Sequence, residues 1–352
     1  MRRITGIVLL IAVLVVALFA SIAIGARALG IGEVFDVLQA GGWPHLRFTD
    51  FHGIPWVVLE SPAAPPGADD SYGIVWDLRF PRTLLGLTVG LAIGAAGALA
   101  QGHTRNPLAD PGMLGVNAGA ACAVVVGVYL LGIQSPIAYM AFGLLGALVA
   151  ASAVFGLSAL SGASPLTLIL AGTGLSALLL AITSGIVLSD AATLDVWRFW
   201  NVGATSGRGL DVFSASLPFI VIGLVLALGS GYFLNVLSLG EDMTKALGSR
   251  VVLIRTVGIL SITLLVGAAT AACGPIVFLG LVVPHIARAI TGPDYRWIVP
   301  YAALLGAILV LVCDVLGRVI ARPGEVQVGV VLALVGAPFL IALVRRRKLA
   351  SV

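Results

Sequence analysis

Apolar segments of similar length recur along the whole chain, separated by shorter polar stretches. A helix needs about 20 consecutive apolar residues to cross the hydrocarbon core of a bilayer. Most of these segments are close to that length, and no long polar region divides them. The pattern predicts an all-α, polytopic membrane protein with ten transmembrane helices: Ile4–Ile24, Thr83–Gln101, Met113–Gly132, Pro136–Leu160, Pro165–Leu188, Val212–Leu234, Val251–Ala271, Ile276–Ile290, Trp297–Gly317 and Val326–Val344.

Basic residues mark both ends of the chain. The pair Arg2–Arg3 precedes the first apolar segment, and the basic run 345–348 follows the last one. The first segment is longer than the core of a signal peptide, so it is predicted to stay as a helix of the protein. Cytoplasmic loops of membrane proteins carry an excess of Lys and Arg, and an even number of spans places both termini on one side. Both termini are therefore predicted to be cytoplasmic.

Two polar segments on the opposite side stand out. The longest, 27–77, is rich in Pro, Gly and Asp between Ser61 and Asp70 and is predicted to be an external loop. The sequence indicates no role for its main part, 39–76. A second external loop is predicted at Asp195–Gly203, whose tryptophans are expected at the membrane boundary, where Trp is enriched.

Composition agrees with this membrane architecture. Of the 352 residues, 59% are hydrophobic and 10% are charged, whereas soluble proteins average about 25% charged residues. The sequence therefore predicts one membrane domain covering residues 1–352. The net charge of +4 is attributed to loop arginines that set the orientation, so no nucleic-acid partner is expected.

The chain shows no sequence signature of an energy source of its own. Its only lysines, Lys245 and Lys348, lie outside any phosphate-binding loop motif. The predicted spans are nearly free of the charged residues that ion-coupled carriers keep near the membrane centre. Cys122, Cys273 and Cys313 lie far apart and suggest neither a disulfide nor a metal site. No enzyme activity, cofactor or metal is therefore predicted for this chain.

The cytoplasmic segment 235–250 is amphipathic. Its apolar residues Leu237, Leu239, Met243 and Leu247 recur at near-helical spacing, and Gly240 and Gly248 bracket a helix too short to span the membrane. Such a helix either docks in a groove of a partner protein or lies on the membrane surface. The residues alone leave both interpretations open.

Four arginines lie at the predicted outer helix ends: Arg79, Arg82, Arg318 and Arg322. One interpretation is that they extend to lipid headgroups. The other is a basic rim that captures carboxylates of a soluble partner, because arginine pairs with carboxylates through two parallel hydrogen bonds.

Glycines at Gly86, Gly90 and Gly94 place a smooth groove along one face of the second span, where another helix can approach closely. This helix begins with the motif RFPR at residue 79, ends near Gln101 and is followed by RNPLADPGMLGVNAG. A later segment reads GPIVFLGLVVPHIAR from Gly274. Its glycines and Pro284 permit a broken helix of the kind that lines a transporter cavity.

These motifs resemble the signature of FecCD-type permeases, the membrane subunits of bacterial ABC importers for iron-siderophores, haem and cobalamin. The resemblance runs from about Gly25 to Arg347. One departure is the segment EVQVG from Glu325, where the family usually has a proline in place of Gln327.

The resemblance implies a type II ABC importer permease in the bacterial inner membrane, which forms the pathway for an iron-siderophore, with haem or cobalamin as the alternative. The implied partners are a second permease subunit, two ATP-binding cassette subunits that hold ATP and magnesium, and an external substrate-binding protein. A stand-alone secondary carrier or channel and a membrane-embedded enzyme remain as other hypotheses.

The resemblance also implies roles for particular residues. The outer arginines would dock the binding protein. The coupling contact with the ATPase would involve Leu239, Gly240, Glu241, Asp242, Ala246, Leu247 and Gly248. Trp200 would lie beside the outer vestibule. By position, the inner gate would lie within Ser161–Thr167, at Ser164, Pro165 and Leu166.

Overall fold

The computed structural model describes residues 2–40, 42–51, 54–160 and 165–345. The chain is predominantly helical. Its α-helices, in chain order, are α1 (Arg2–Ala23), α2 (Ile31–Ala40), α3 (Asp70–Gly73), α4 (Phe80–Thr104), α5 (Val116–Leu131), α6 (Pro136–Leu160), α7 (Pro165–Ser189), α8 (Ala191–Trp200), α9 (Leu210–Ser238), α10 (Glu241–Ala246), α11 (Val251–Cys273), α12 (Leu279–Thr291), α13 (Tyr295–Ile320) and α14 (Val328–Arg345). A π-helical turn, Ile74–Arg79, leads into α4, and a 3₁₀ turn, Pro111–Leu114, precedes α5.

Each of the ten predicted spans coincides with one of these helices, with ends that differ by a few residues. Among the described residues, seven helices are long and apolar enough to cross a membrane: α1, the continuous helix that ends with α4, α6, α7, α9, α11 and α13. The helices α5, α12 and α14 are apolar but shorter. The membrane character is thus supported by the helices themselves, and the number ten stays a prediction.

The centre of the bundle is α4, which is buried along almost its whole length. Its glycines face α13, as a close-packed groove requires. A Cβ atom added at Gly90 would lie 2.5 Å from the Cα of Ala307, and one added at Gly94 would lie 2.2 Å from the carbonyl oxygen of Ala302. Any larger residue at these positions would push the two backbones apart.

The bundle has two ends, which we name after one residue each. At the Arg82 end, the start of α4 meets the end of α1 and the end of α13, as shown by contacts of Arg82 with Asp314 and of Arg318 with Ser21. At the Asp294 end, the start of α1 meets the start of α13 and the end of α9, where Asp294 contacts Arg3 and Asn235.

Segment 27–77 contains more regular structure than the loop that its composition predicted. Besides α2 and α3 it forms an antiparallel hairpin of β1 (His45–Phe51) and β2 (Ile54–Glu60), with His45 opposite Glu60. The hairpin is a small exception to the all-α prediction. It is tied to the bundle by the backbone N–H of Leu59, which donates to the hydroxyl of Ser214 on α9 at 2.9 Å.

Segment Asp195–Gly203 is not the loop predicted from its polar composition. Most of it belongs to α8, whose first turn is capped by Asp190, a good N-cap residue. The side chain of Asp190 accepts hydrogen bonds from the backbone N–H and the hydroxyl of Thr193. These hydrogen bonds lower the pKa of Asp190.

Candidate functional site

A cavity of about 570 Å³ lies between α5, α7 and the start of α14. Two loops complete its wall, the one after α8 and the one that joins α11 to α12. The residues that line it are Gly112, Asn117, Ala118, Ala121, Ser176, Leu180, Asn201, Val202, Pro275, Val277, Gly329, Val330 and Ala333. All of these side chains are uncharged and most are apolar. The cavity is therefore suited to a bulky ligand that is not held by a fixed charge.

The helix break predicted at Gly274 forms one wall of this cavity. Gly274 has φ +78° and ends α11, and Phe278 starts α12 with φ +66°. A Cβ atom at Gly274 would lie 2.0 Å from the carbonyl oxygen of Trp200, so only glycine fits there. The break lets Pro275 and Val277 turn toward the cavity.

Backbone hydrogen bonds hold the cavity loops together. The N–H of Ala204 donates to the carbonyl of Cys273 at 2.7 Å, and the N–H of Gly329 donates to the carbonyl of Gly203 at 3.0 Å. The loops after α8, after α11 and before α14 are therefore joined into one unit by backbone hydrogen bonds. A movement of one loop alone would break these hydrogen bonds.

Trp200 is not among the described residues that line the cavity, and its predicted position beside the outer vestibule stays a prediction. Its side chain is only 2% exposed and packs in the main hydrophobic core, so it is not an interfacial anchor either. The reason is that α8 ends at Trp200 with its ring turned inward. The next two residues, Asn201 and Val202, face the cavity instead.

The predicted gate residues are only partly described. Ser164 lies outside the described residues, Pro165 begins α7, and Leu166 on the first turn of that helix is exposed. Leu166 is not among the described residues that line the cavity of about 570 Å³. Their gate role stays a prediction.

Three of the four predicted docking arginines are buried. The exposed fractions are 5% for Arg79, 7% for Arg82 and 1% for Arg318. They do not form the accessible rim expected from the sequence, because the fold supplies internal partners for each of them. Arg322 is exposed. Whether the four arginines also contact a binding protein stays a prediction.

Asp314 is the centre of a buried charge cluster at the Arg82 end. The carboxylate accepts hydrogen bonds from Nε of Arg82 at 2.9 and 3.0 Å, and it lies 2.8 Å from Nη2 of Arg318, four residues along α13. Thr205 adds a hydrogen bond from its hydroxyl at 2.7 Å. Two buried cations thus share one buried anion, and Glu325 supplies a second carboxylate to Arg82 at 2.5 Å.

The other contacts of these arginines close the end of α1. Arg318 donates to the carbonyl of Ser21 at 2.8 Å, and Arg79 donates to the carbonyls of Ile22 at 2.9 Å and Ala23 at 2.7 Å. Arg322 donates to the carbonyl of Gly25 at 2.7 Å. The last carbonyls of a helix have no partner within it, and these guanidinium groups provide one.

The charge cluster is connected to the cavity. Glu325 and Thr205, which contact the cluster, belong to the loops that precede α14 and α9. Ser206 donates to the side-chain oxygen of Gln327 at 2.8 Å and joins the same two loops. Asn201 on one of these loops and Gly329 on the first turn of α14 line the cavity, so the cluster positions one side of it.

At the Asp294 end, a smaller polar network fixes the helix ends. Asp294 accepts from Arg296 at 2.9 Å and from the amide of Asn235 at 2.6 Å. The hydrogen bond from the Arg296 side chain is the main cause that lowers the pKa of Asp294 to about 2. The carboxylate is therefore ionised at neutral pH and holds α9 to the start of α13.

The predicted coupling segment forms the short helix α10 at the Asp294 end. Gly240 (φ +107°) precedes it and Gly248 (φ +75°) follows it. Thr244 is buried and its hydroxyl donates to the carbonyl of Val236 at 3.0 Å, which fixes the helix to α9. Leu239, Met243 and Leu247 are each more than half exposed, so an apolar surface faces outward. Asp242 and Ala246 are exposed beside it.

The sequence motifs did not indicate that Asp314 is the shared anion of the buried charge cluster. Its distance of four residues from Arg318 is a local signal for a helical ion pair, but Arg82 is 232 residues away in sequence. Nothing local connects these two groups. The α4–α13 contact, which the glycines predicted without naming the partner helix, brings them together.

The comparisons with known proteins agree on one family. The sequence profile of the FecCD transport family matches residues 13–346. The chain is 49% identical over 276 residues to the ferric enterobactin transport system permease protein FepD of Escherichia coli (strain K12), covering 78% of this chain and 82% of that protein. It is 38% identical over 298 residues to the probable siderophore transport system permease protein YfiZ of Bacillus subtilis (strain 168), covering 84% and 90%.

A solved structure has the same fold over nearly the whole length. It is a metal-chelate type ABC transporter in an inward-facing conformation, with a TM-score of 0.79 and 25% sequence identity. The match covers 97% of this chain and 99% of that chain.

The charge cluster predicts a large loss of stability when its anion is removed. Asp314→Asn keeps the side-chain shape but leaves Arg82 and Arg318 as neighbouring buried cations. Removing one partner of a buried ion pair costs about 3–5 kcal/mol. We expect a clear fall in the thermal unfolding midpoint of the purified protein in detergent. Glu325→Gln is the matched control with a smaller effect, because the side chain of Glu325 is 32% exposed. An unchanged midpoint for Asp314→Asn would show that the cluster is not structural.

Proposed function

The chain belongs to the FecCD transport family, and from that premise we propose that it forms the membrane pathway through which a ferric siderophore enters a bacterial cell. It is a permease subunit of an ABC transporter. The observation that carries the substrate class is the 49% identity with a ferric enterobactin permease. The large, uncharged cavity is compatible with such a ligand, because a ferric chelate is bulky and carries its charge within an organic shell.

The proposed topology is one membrane domain with ten spans in the inner membrane. The shorter helices α5, α12 and α14 complete the seven long ones. Both termini are proposed to lie in the cytoplasm, because the segments of the Asp294 end carry an excess of Lys and Arg. The Arg82 end then faces outward.

A second permease chain would complete the pathway. The cavity is lined on one side by α5, α7 and α14, and α7 exposes Leu170 and Leu178 on its surface. Two copies, or this chain with a related one, would enclose the ligand between such faces. Two ATP-binding cassette subunits would hold ATP and magnesium, and neither ATP nor magnesium is proposed to bind to this chain.

The exposed face of α10 is the proposed contact with the ATPase. Its residues Leu239, Met243 and Leu247 are exposed, while Thr244 on the opposite face is fixed to the bundle. A rigid helix with an uncovered apolar face suits a groove of a partner protein. The role of Glu241 and its neighbours in this contact is part of the same proposal.

Leu247→Ser is predicted to separate ATP hydrolysis from uptake, because it replaces an apolar contact by a polar one. We expect a several-fold loss of ATP-dependent uptake by the assembled transporter, with less co-purified ATPase or with hydrolysis that no longer responds to ligand. Leu188→Ser at the far end of α7 is the control, since Leu188 is also exposed. If uptake and ATPase association stay normal in Leu247→Ser, α10 lies on the membrane surface and does not dock.

The outer arginines are proposed to act in two ways. Arg322 is exposed and can meet a carboxylate of the binding protein directly. Arg82 already holds Glu325 at 2.5 Å, so a carboxylate of the partner would have to displace it. Arg79 and Arg318 are positioning residues for the end of α1 in the undocked structure.

Arg322→Glu is predicted to weaken the binding-protein complex, because it reverses the accessible charge. The dissociation constant should rise about tenfold at low ionic strength and the difference should shrink as salt is added. Arg47→Glu on the hairpin is the control for a general change of surface charge, since Arg47 is also exposed. Equal dissociation constants for the wild type and Arg322→Glu would show that Arg322 is not part of the docking surface.

The function is tested by uptake in a bacterial strain that lacks its own siderophore permeases. The chain is expressed with the ATPase, the permease partner and the binding protein of its own organism. We expect uptake of radioactive iron supplied as a siderophore complex. If the transporter takes up haem or cobalamin but no ferric chelate, the alternative substrates are the correct ones. Uptake without the ATPase would contradict the importer mechanism.

A further inference from the structure

Asn117 lies in the motif that follows α4, and its side chain lines the cavity. The hydroxyl of Thr270 on α11 donates to Oδ1 of Asn117 at 2.9 Å. Because that contact uses the oxygen of the amide, the NH₂ group must point the other way. Among the described residues, this nitrogen has no hydrogen-bond partner.

A second contact supports this orientation of the amide. A Cβ atom at Gly112 would lie 2.5 Å from Nδ2 of Asn117 and 3.0 Å from Oδ1 of Asp110. The amide nitrogen and a carboxylate oxygen thus approach the same point. Glycine at position 112 keeps the nitrogen uncovered.

Ser176 on α7 provides a second free donor close to the first. Its hydroxyl also lines the cavity and would lie 3.8 Å from a Cβ atom at Gly115. No described residue accepts a hydrogen bond from it or donates one to it. Gly112 and Gly115 belong to the same turn before α5, so Asn117 and Ser176 each lie beside a glycine of that turn.

The wall around these two donors is largely apolar, with Ala118, Ala121 and Leu180 as neighbours. Small-molecule sites combine apolar walls with a few placed polar groups that orient the ligand. Asn117 has one end fixed by Thr270 and the other end free, which a purely structural amide would not need.

We propose that Asn117 and Ser176 form a two-donor contact point for oxygen atoms of the ferric chelate inside the pathway. The inference rests on the proposed function. Catecholate, hydroxamate and carboxylate oxygens are electron-rich acceptors, so they bind N–H and O–H donors well. Two neutral donors bind such a ligand more weakly than an arginine, which suits a pathway that must also release it.

The test uses the complete transporter in proteoliposomes with ATP and the ferric chelate that the wild type carries. Ser176→Ala removes only the free hydroxyl. Asn117→Asp keeps the size and the acceptor for Thr270 but replaces the donor by an acceptor. Thr173→Val is the control, because the hydroxyl of Thr173, three residues before Ser176 on α7, is already bonded to the carbonyl of Ile169 at 3.0 Å.

Ser176→Ala and Asn117→Asp should each lower the initial uptake rate about tenfold, the effect of one lost hydrogen bond to a charged acceptor. The unfolding midpoint of Ser176→Ala should match the wild type, and Thr173→Val should keep both the wild-type uptake rate and the wild-type basal ATPase rate. Uptake within twofold of wild type for Ser176→Ala, or an equal loss in Thr173→Val, would overturn the inference while leaving the function intact. If Asn117→Asp does not fold, Ser176→Ala decides alone. A wild type that carries no ferric chelate would overturn the proposed function itself.

Discussion

The structure depends on one buried carboxylate, Asp314, which is shared by the guanidinium groups of Arg82 and Arg318. Charges in a low-dielectric interior are costly unless they are paired and hydrogen-bonded. Here the pairing is extended by Ser21, which accepts from Arg318, and by Thr205, which donates to Asp314. The cluster therefore joins α1, α4, α13 and a loop of the cavity at one end of the bundle.

The cluster can form only because α4 and α13 are in direct backbone contact. Gly90 and Gly94 on α4 meet Gly306 and Ala302 on α13 with no room for a side chain. The charges of the membrane domain are thus used to hold helices together, and the cavity wall stays uncharged. The uncharged wall of the cavity is compatible with the proposal that other subunits supply the energy for uphill transport.

The sequence was sufficient to predict where the long helices lie, because long apolar segments and their glycine and proline breaks are local signals. It also predicted that another helix can closely approach the glycine face of the helix around Gly90, as α13 does. The sequence could not show that Arg82 is buried, because the partner of Arg82, Asp314, lies 232 residues away. From sequence alone, an arginine near a helix end is expected to be exposed. The ring of Trp200 was misplaced for the same reason: the core that covers it comes from other parts of the chain.

The most direct test of the proposed mechanism measures how much ferric chelate accumulates inside proteoliposomes after the proton and sodium gradients have been abolished. With the ATPase subunits, the binding protein and ATP, we expect the internal concentration of the chelate to exceed the external concentration. When ADP replaces ATP, we expect no accumulation. Accumulation by the permease chains alone, driven by an imposed ion gradient, would contradict the central claim that this chain supplies only the pathway.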